Sequence, residues 1–218
     1  MVTETKQRRS AGRPAAGATD LPSEAEILSR GLAAFAELGY EATSVRELSR
    51  RLGVSHNFIN DRFGSKEAFW KALIDRAGSP IMEPLHELLL TTYDDELDRF
   101  RDGIRAFLRL ALANADMTRI INQESGTGGP RLDYLYQRHV EPIVIALTPG
   151  FDRLVAEGRI RAVPLHVMVF SVIAMTGIAN HRGILRLIGS YEDIPYSVLS
   201  QQLSEIVLDG LILDRSTG

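Results

Sequence analysis

The 218-residue sequence predicts an all-α protein in which a three-helix helix-turn-helix head precedes a larger helical body. Three observations carry this. Apolar residues recur at steps of three and four along nearly the whole chain. Ser-x-x-Glu spacings stand where helices should start. No stretch alternates as a strand would, and there is no internal repeat.

The first twenty residues, rich in Ala, Gly, Thr and Arg, show no periodicity and predict a disordered basic arm over 1–20. Pro22 and Ser23 open the first helix, with Ser23 and Glu26 at capping-box spacing. Ile27, Gly31, Ala34, Phe35 and Leu38 share one face, and Gly39 stops the helix where a positive φ is cheap. Ser44 and Glu47 repeat the spacing and start a second helix with Val45, Leu48 and Leu52 inward. Gly53 turns the chain, Ser55 is expected to cap a third helix, and Ile59 and Phe63 point inward. Two short helices joined by a glycine turn are a helix-turn-helix, or else a tight hairpin of any helical protein; the spacing favours the first. Gly64 and Ser65 form another break and cap.

From Lys66 the pattern predicts helices near 66–90, 94–114, 116–125, 130–157, 164–188 and 197–213. Pro80 and Pro84 should bend or break the first, and Pro142 with Thr148-Pro149-Gly150 should interrupt the fourth. The segment VPLHVMVFSVIAM is apolar nearly all round, which predicts burial on most faces. The final helix carries an apolar stripe, so these two helices form either a subunit interface or internal core. The longest apolar run, Val167 to Ala179, is too short to cross a bilayer.

Composition narrows the chemistry. With no cysteine, disulfides, thiolate metal sites and cysteine nucleophiles are excluded, which fits a reducing cytoplasm. The net charge is −3, but it is unevenly spread: residues 1–75 hold 11 Lys and Arg against 10 Asp and Glu, and the remainder 14 against 18. Lys6, Arg8, Arg9 and Arg13 make the arm basic, a local feature suited to nucleic acid. Glu83 and His86 form only half of a di-iron pattern, so no metal or cofactor is expected. The loop with Gly126, Gly128 and Gly129 has no following Lys-Ser/Thr and reads as a connection. The scattered histidines offer no catalytic grouping, and no enzyme activity is expected.

Ile27, Leu28, Phe35, Gly39, Tyr40, Thr43, Val45, Leu48, Leu52, Gly53, Val54, Ser55, Phe63, Ser65, Lys66 and Glu67 keep one spacing through three helices. In these residues the chain resembles the N-terminal domain of tetracycline-repressor (TetR) type transcription regulators. The resemblance covers roughly residues 24 to 72. It implies a DNA-binding domain over 21–75 and an effector-binding and dimerisation domain over 76–218. It further implies a homodimer, through the last two helices, that binds a palindromic double-stranded DNA operator and releases it to a small molecule. A sensor or adapter that has lost DNA binding is the alternative.

On this resemblance the DNA-binding residues are Thr43, Arg46, Ser55, His56, Asn57, Asn60, Arg62 and Lys66. Thr43 and Lys66 would hold phosphates, which fix position but not sequence. Asn suits adenine and Arg suits guanine in the major groove. Arg8, Arg9 and Arg13 would enter an adjacent minor groove. Where many members carry a tyrosine in the third helix, Asn60 stands here, beside Phe58 and Asp61. Phe58 either packs in the core, the favoured reading, or touches a thymine methyl. Asp61 either pairs with a nearby arginine, the favoured reading, or accepts from a cytosine amine. In the body Phe107, Leu110, Ile121, Tyr134, His139, Phe170 and Met175 are candidate lining for a pocket. Asn122, Glu124, His139 or His181 are candidate polar anchors, and the expected effector is small and apolar or aromatic.

Overall fold

The computed structural model describes residues 22–180, 187 and 194–213. Its helices are α1 (Glu24–Leu38), α2 (Val45–Leu52), α3 (Phe58–Phe63), α4 (Lys66–Leu90), α5 (Glu96–Ala113), α6 (Ala115–Thr127), α7 (Pro130–Leu135), α8 (Glu141–Ala156), α9 (Leu165–Thr176) and α10 (Tyr196–Leu211). A π-turn, Tyr136–Val140, joins α7 to α8, and a 3-10 turn, Gly177–Asn180, follows α9. The only extended pairing among the described residues is a single bridge between Ile160 and Ile212.

The caps explain where the head's helices begin. Ser23 accepts from the Glu26 N–H while the Glu26 carboxylate accepts from the Ser23 N–H, the full capping box. At α2 only half of that device forms. Ser44 accepts from the Glu47 N–H at 3.2 Å, but the Glu47 carboxylate is taken by Arg50 and Arg51. Those hydrogen bonds hold its carboxyl at about 2, below the usual carboxylate range. Arg51 also reaches Glu37 at 2.5 Å and so ties α2 to α1. The turn between α2 and α3 is longer than expected. Ser55 does not cap α3: His56 and Asn57 form a turn, and the helix starts at Phe58. Gly53, at φ 73°, takes the left-handed conformation that closes α2.

Pro80, Pro84 and Pro149 do not break their helices, whereas the interruption expected near Pro142 is present, as the π-turn just before it separates α7 from α8. Helix α4 runs unbroken from Lys66 to Leu90 through Pro80 and Pro84, and α8 runs through Pro149. Tertiary packing of one face outweighs the lost backbone donors, because α4 buries Phe69, Trp70, Leu73, Ile74, Ile81 and Leu85 along its length. Pro142 sits in the first turn of α8, where a missing N–H costs nothing.

Two apolar clusters make the core. The first joins head and body: Phe35, Leu48, Leu52, Ile59, Phe69 and Trp70 pack continuously with Ile81, Leu85, Met117, Ile120 and Leu135. The second lies at the far end of the body, between α5, α8, α9 and α10. Helix α9 is not buried on most faces, contrary to its apolar sequence. Met168, Val172 and Thr176 are inside, while Phe170 is 70% exposed and Val167 is exposed beside it.

Helices α1 and α4 approach closely at Gly31, where a Cβ would come within 2.7 Å of Phe69 Cζ. Gly31→Val is therefore expected to overpack this contact and cost about 2 kcal/mol of stability, measured by urea unfolding. An unchanged midpoint would show that the buried Phe69 ring can move aside.

Candidate nucleic-acid interface and internal cavity

The outer edge of the head is polar because its inner edge is not. Ile59 is fully buried and Phe58 half-buried against Phe63, with ring centroids 6.3 Å apart. That packing turns His56, Asn57, Asn60 and Asp61 outward, all of them exposed. Arg46 on α2 and Ser55 in the turn are exposed on the same module. The structure thus assembles a short polar helix and its flanking turn on one surface, with amide and imidazole groups suited to base edges.

Three of the sequence-selected residues have other partners. Thr43 is fully buried, and its hydroxyl donates to the Gly39 carbonyl at 2.5 Å. Its only proton is spent, so a phosphate at this end would have to take first-turn backbone N–H groups instead. Lys66 donates to the Tyr40 carbonyl at 2.8 Å and lies 4.0 Å from that ring's centroid. Burial pulls its ammonium below the usual lysine range, although two of its N–H bonds remain for a phosphate. Arg62 pairs with Glu24 at the start of α1, not with Asp61. Asp61 has no ion-pair partner among the described residues. Arg8, Arg9 and Arg13 lie outside the described residues, as does His181.

The head is fastened to the body by a cluster that sequence reading missed. Tyr40 stacks on Phe35 at 5.6 Å and meets Trp70 edge-on at 6.1 Å. Arg131, from α7, lies 4.0 Å from the Tyr40 centroid on its guanidinium carbon. The same guanidinium pairs with Glu41 at 3.1 Å and with Glu124 at 3.0 Å. Glu124 is 4% exposed, a carboxylate that depends on this partner. Gln123, one residue earlier, donates to the Ala36 carbonyl of α1 at 2.9 Å. Glu124 is seven residues from Arg131, but Glu41 and Tyr40 lie some ninety residues earlier, so the local sequence does not announce the cluster.

Within the body is a cavity of about 130 Å³ lined by α4, α5, α6, α8 and α9. Phe107, Ile121 and His139 line it, together with residues such as Leu85, Ile104 and Val172. Leu110 and Met175 do not: they pack half-buried in the two core clusters. Phe170 points to the exterior. Tyr134 is committed to the junction, donating to Asp75 at 2.9 Å and packing on Trp70 at 6.2 Å. Asn122 is half-buried beside Gly177, and Glu124 belongs to the Arg131 cluster. Asp75 also faces Arg138 at 3.4 Å and His139 at 3.5 Å. Burial holds the His139 imidazole below the usual histidine range, with Asp75 opposing. Among the described residues no group of His, Asp and Glu is arranged to hold a metal. No described helix is long and apolar enough to cross a membrane.

Residues 27–73 match the family model described as bacterial regulatory proteins, tetR family. The HTH-type transcriptional activator FasR of Mycolicibacterium smegmatis is 29% identical over 112 residues, covering 49% of this chain and 51% of that protein. The HTH-type transcriptional repressor Rv3405c of Mycobacterium tuberculosis is 33% identical over 79 residues, 34% of this chain and 42% of the repressor. The chain thus spans about half the length, or less, of these two curated relatives. The crystal structure of PfmR, a TetR family transcriptional regulator from Thermus thermophilus, shares the fold. Its TM-score is 0.66 at 22% identity, over 89% of this chain and 99% of that one.

Removing Arg131 alone strands the buried Glu124 carboxylate. Arg131→Met is expected to cost about 3 kcal/mol, and adding Glu124→Met should restore most of it. Chemical unfolding of the three proteins checks this. A double variant no more stable than the single one would show that the pair does more than neutralise charge.

Proposed function

We propose that the chain, whose residues 27–73 match the model of the tetR family of bacterial regulatory proteins, is a ligand-responsive DNA-binding transcription regulator. It acts as a homodimer on a palindromic operator and is released by a small apolar effector that enters the body. The observation that carries this reading is a polar recognition surface on a head whose core continues through α4 to the wall of an apolar cavity. The functional division at residues 75 and 76 is one of roles, because α4 crosses it without a break. The site of action is the cytoplasm, where operator DNA lies.

In the major groove Asn57 and Asn60 read bases, with His56 and Ser55 beside them and Arg46 on base or phosphate. Lys66 and the first turn of α2 hold phosphates, and the basic arm enters the minor groove. Arg62 reaches DNA only after leaving Glu24. Effector binding weakens DNA affinity to the extent that it favours a state whose heads no longer match half-sites one helical turn apart.

A second copy covers the exposed apolar faces of the last two helices. Phe170 and Val167 on α9, with Ile206 (60% exposed) and Val198 on α10, make that surface. Isolated apolar residues are ordinary on a monomer, but rows on two helices mark an interface.

A mobility-shift assay with DNA from upstream of the protein's own gene tests the function, and absence of any salt-dependent specific complex would overturn it. Asn57→Ala and Arg62→Ala should relax base preference, each base contact contributing about 1–3 kcal/mol. Lys66→Ala should weaken all sequences alike and reduce the salt slope by about one. Glu24→Gln, by freeing Arg62, should tighten DNA binding.

Phe170→Glu combined with Ile206→Glu is expected to give a monomer that has lost specific DNA affinity. Sedimentation equilibrium provides the measurement, and a persisting dimer would place the interface elsewhere.

A further inference from the structure

The described wall of the cavity contains three polar side chains, and two of them are already committed. The Thr118 hydroxyl donates to the Ala111 carbonyl at 2.9 Å, and the Thr176 hydroxyl donates to the Ile173 carbonyl at 2.6 Å. The remaining described lining is apolar or glycine, with no Lys, Arg, Asp or Glu. His139 is the third. It is 7% exposed, and its Nε2 has no hydrogen-bond partner. The nearest carboxylate oxygen, Asp75 Oδ1, stands 3.5 Å away and is shared with the Tyr134 hydroxyl.

The fold makes room for this imidazole. A Cβ on Gly78 would come within 2.5 Å of His139 Cε1, so the ring fills the gap left by the absent side chain. The π-turn Tyr136–Val140 supplies the extra residue that brings the ring to this position on α4. A buried polar atom without a partner is costly, and a ligand in the adjoining cavity that reached it would satisfy it.

We infer that His139 is the polar anchor of a site for a small uncharged molecule, an apolar body carrying one hydroxyl or carbonyl group. This rests on the reading of the cavity as the effector site. The volume, about 130 Å³, is close to the ~150 Å³ that holds a benzene ring, so the body has about six to eight heavy atoms. A carboxylate would lose its hydration with no cation in the described wall. An ammonium would be desolvated with no carboxylate in contact, because Asp75 is outside the lining. A neutral imidazole offers one donor and one acceptor, matching a hydroxyl or a carbonyl. The anchor lies at the head-proximal end of the cavity, beside Gly78, which stands one helical turn after Asp75 on α4.

Toluene, benzyl alcohol, benzoate and benzylammonium share one carbon frame and differ in the group presented to His139. Each is titrated into the full chain, with binding read by calorimetry and ligand-observed NMR. Benzyl alcohol should bind about 3- to 10-fold more tightly than toluene. Both charged probes should bind at least about tenfold more weakly than the alcohol. His139→Phe should keep toluene binding and abolish the alcohol's advantage, while His139→Gln, which retains a donor and an acceptor, should preserve part of it. If His139→Phe does not fold, the wild-type ranking and His139→Gln decide. Toluene equal to the alcohol, or benzoate tighter than it, overturns the inference and leaves the cavity as an effector site. No binding by any probe overturns both, while operator binding, measured separately, can still stand.

Discussion

Helix α4 is the wall that head and body share, and the architecture depends on its staying whole. Its first three turns bury Phe69, Trp70 and Leu73 under the head, and its later turns present Gly78, Ile81 and Leu85 to the cavity. At about 1.5 Å per residue it carries the chain on the order of 37 Å. Two prolines inside it would break an isolated helix. They are tolerated here because apolar burial on both sides fixes the backbone whether or not every internal hydrogen bond forms. A continuous helix joins the core of the head to the wall of the cavity. Any change in the cavity that tilts α4 also moves the head.

The junction around Tyr40 gives that movement something discrete to act on. Cations from α4 (Lys66) and α7 (Arg131) lie near the same ring, and Arg131 holds carboxylates from both head and body. Helix α6 contributes Met117, Thr118 and Ile121 to the cavity and Gln123 and Glu124 to the junction. The cavity and the head are therefore bridged by two helices and one charge cluster. On the proposed function, an effector would shift DNA affinity only by its differential binding to two arrangements of these parts. Packed interfaces of this kind favour distinct arrangements over continuous deformation.

The head's surface shows how a recognition element can be held ready without being satisfied. Asn57, Asn60 and His56 face solvent, and among the described residues of the head none competes for their side chains. Arg62 is different, because Glu24 occupies it across the head. An exposed pair of this kind is weakly held, so on the proposed reading DNA phosphates or a guanine edge would displace it at small cost. Glu47, Arg50, Arg51 and Glu37 form a charge network that joins α1 to α2. The basic residues of α2 are thus largely structural, and the head's positive face is narrower than its arginine count suggests.

The sequence by itself determined the helical class, the caps at Ser23, Ser44 and Ser65, the inward set of the head and the extent of α4. Those features follow from near-neighbour periodicity and capping, which act over three or four residues. The same local reading placed Ser55 as a cap and allowed breaks at Pro80, Pro84 and Pro149, where the helices run on. It failed there because turn length and helix continuity were settled by packing partners distant in the chain. Site residues divide along the same line. Outward polar positions such as Asn57 and Asn60 were legible once Ile59 was known to face inward. The buried hydroxyl of Thr43, the pairing of Arg62 with Glu24, and the exposure of Phe170 were decided only by the tertiary structure. Of the pocket candidates, Phe107, Ile121 and His139 face the cavity, whereas Leu110, Tyr134 and Met175 pack elsewhere. An apolar residue's side of a helix is readable from pattern, but whether that side meets core, void or a second surface depends on how helices cross.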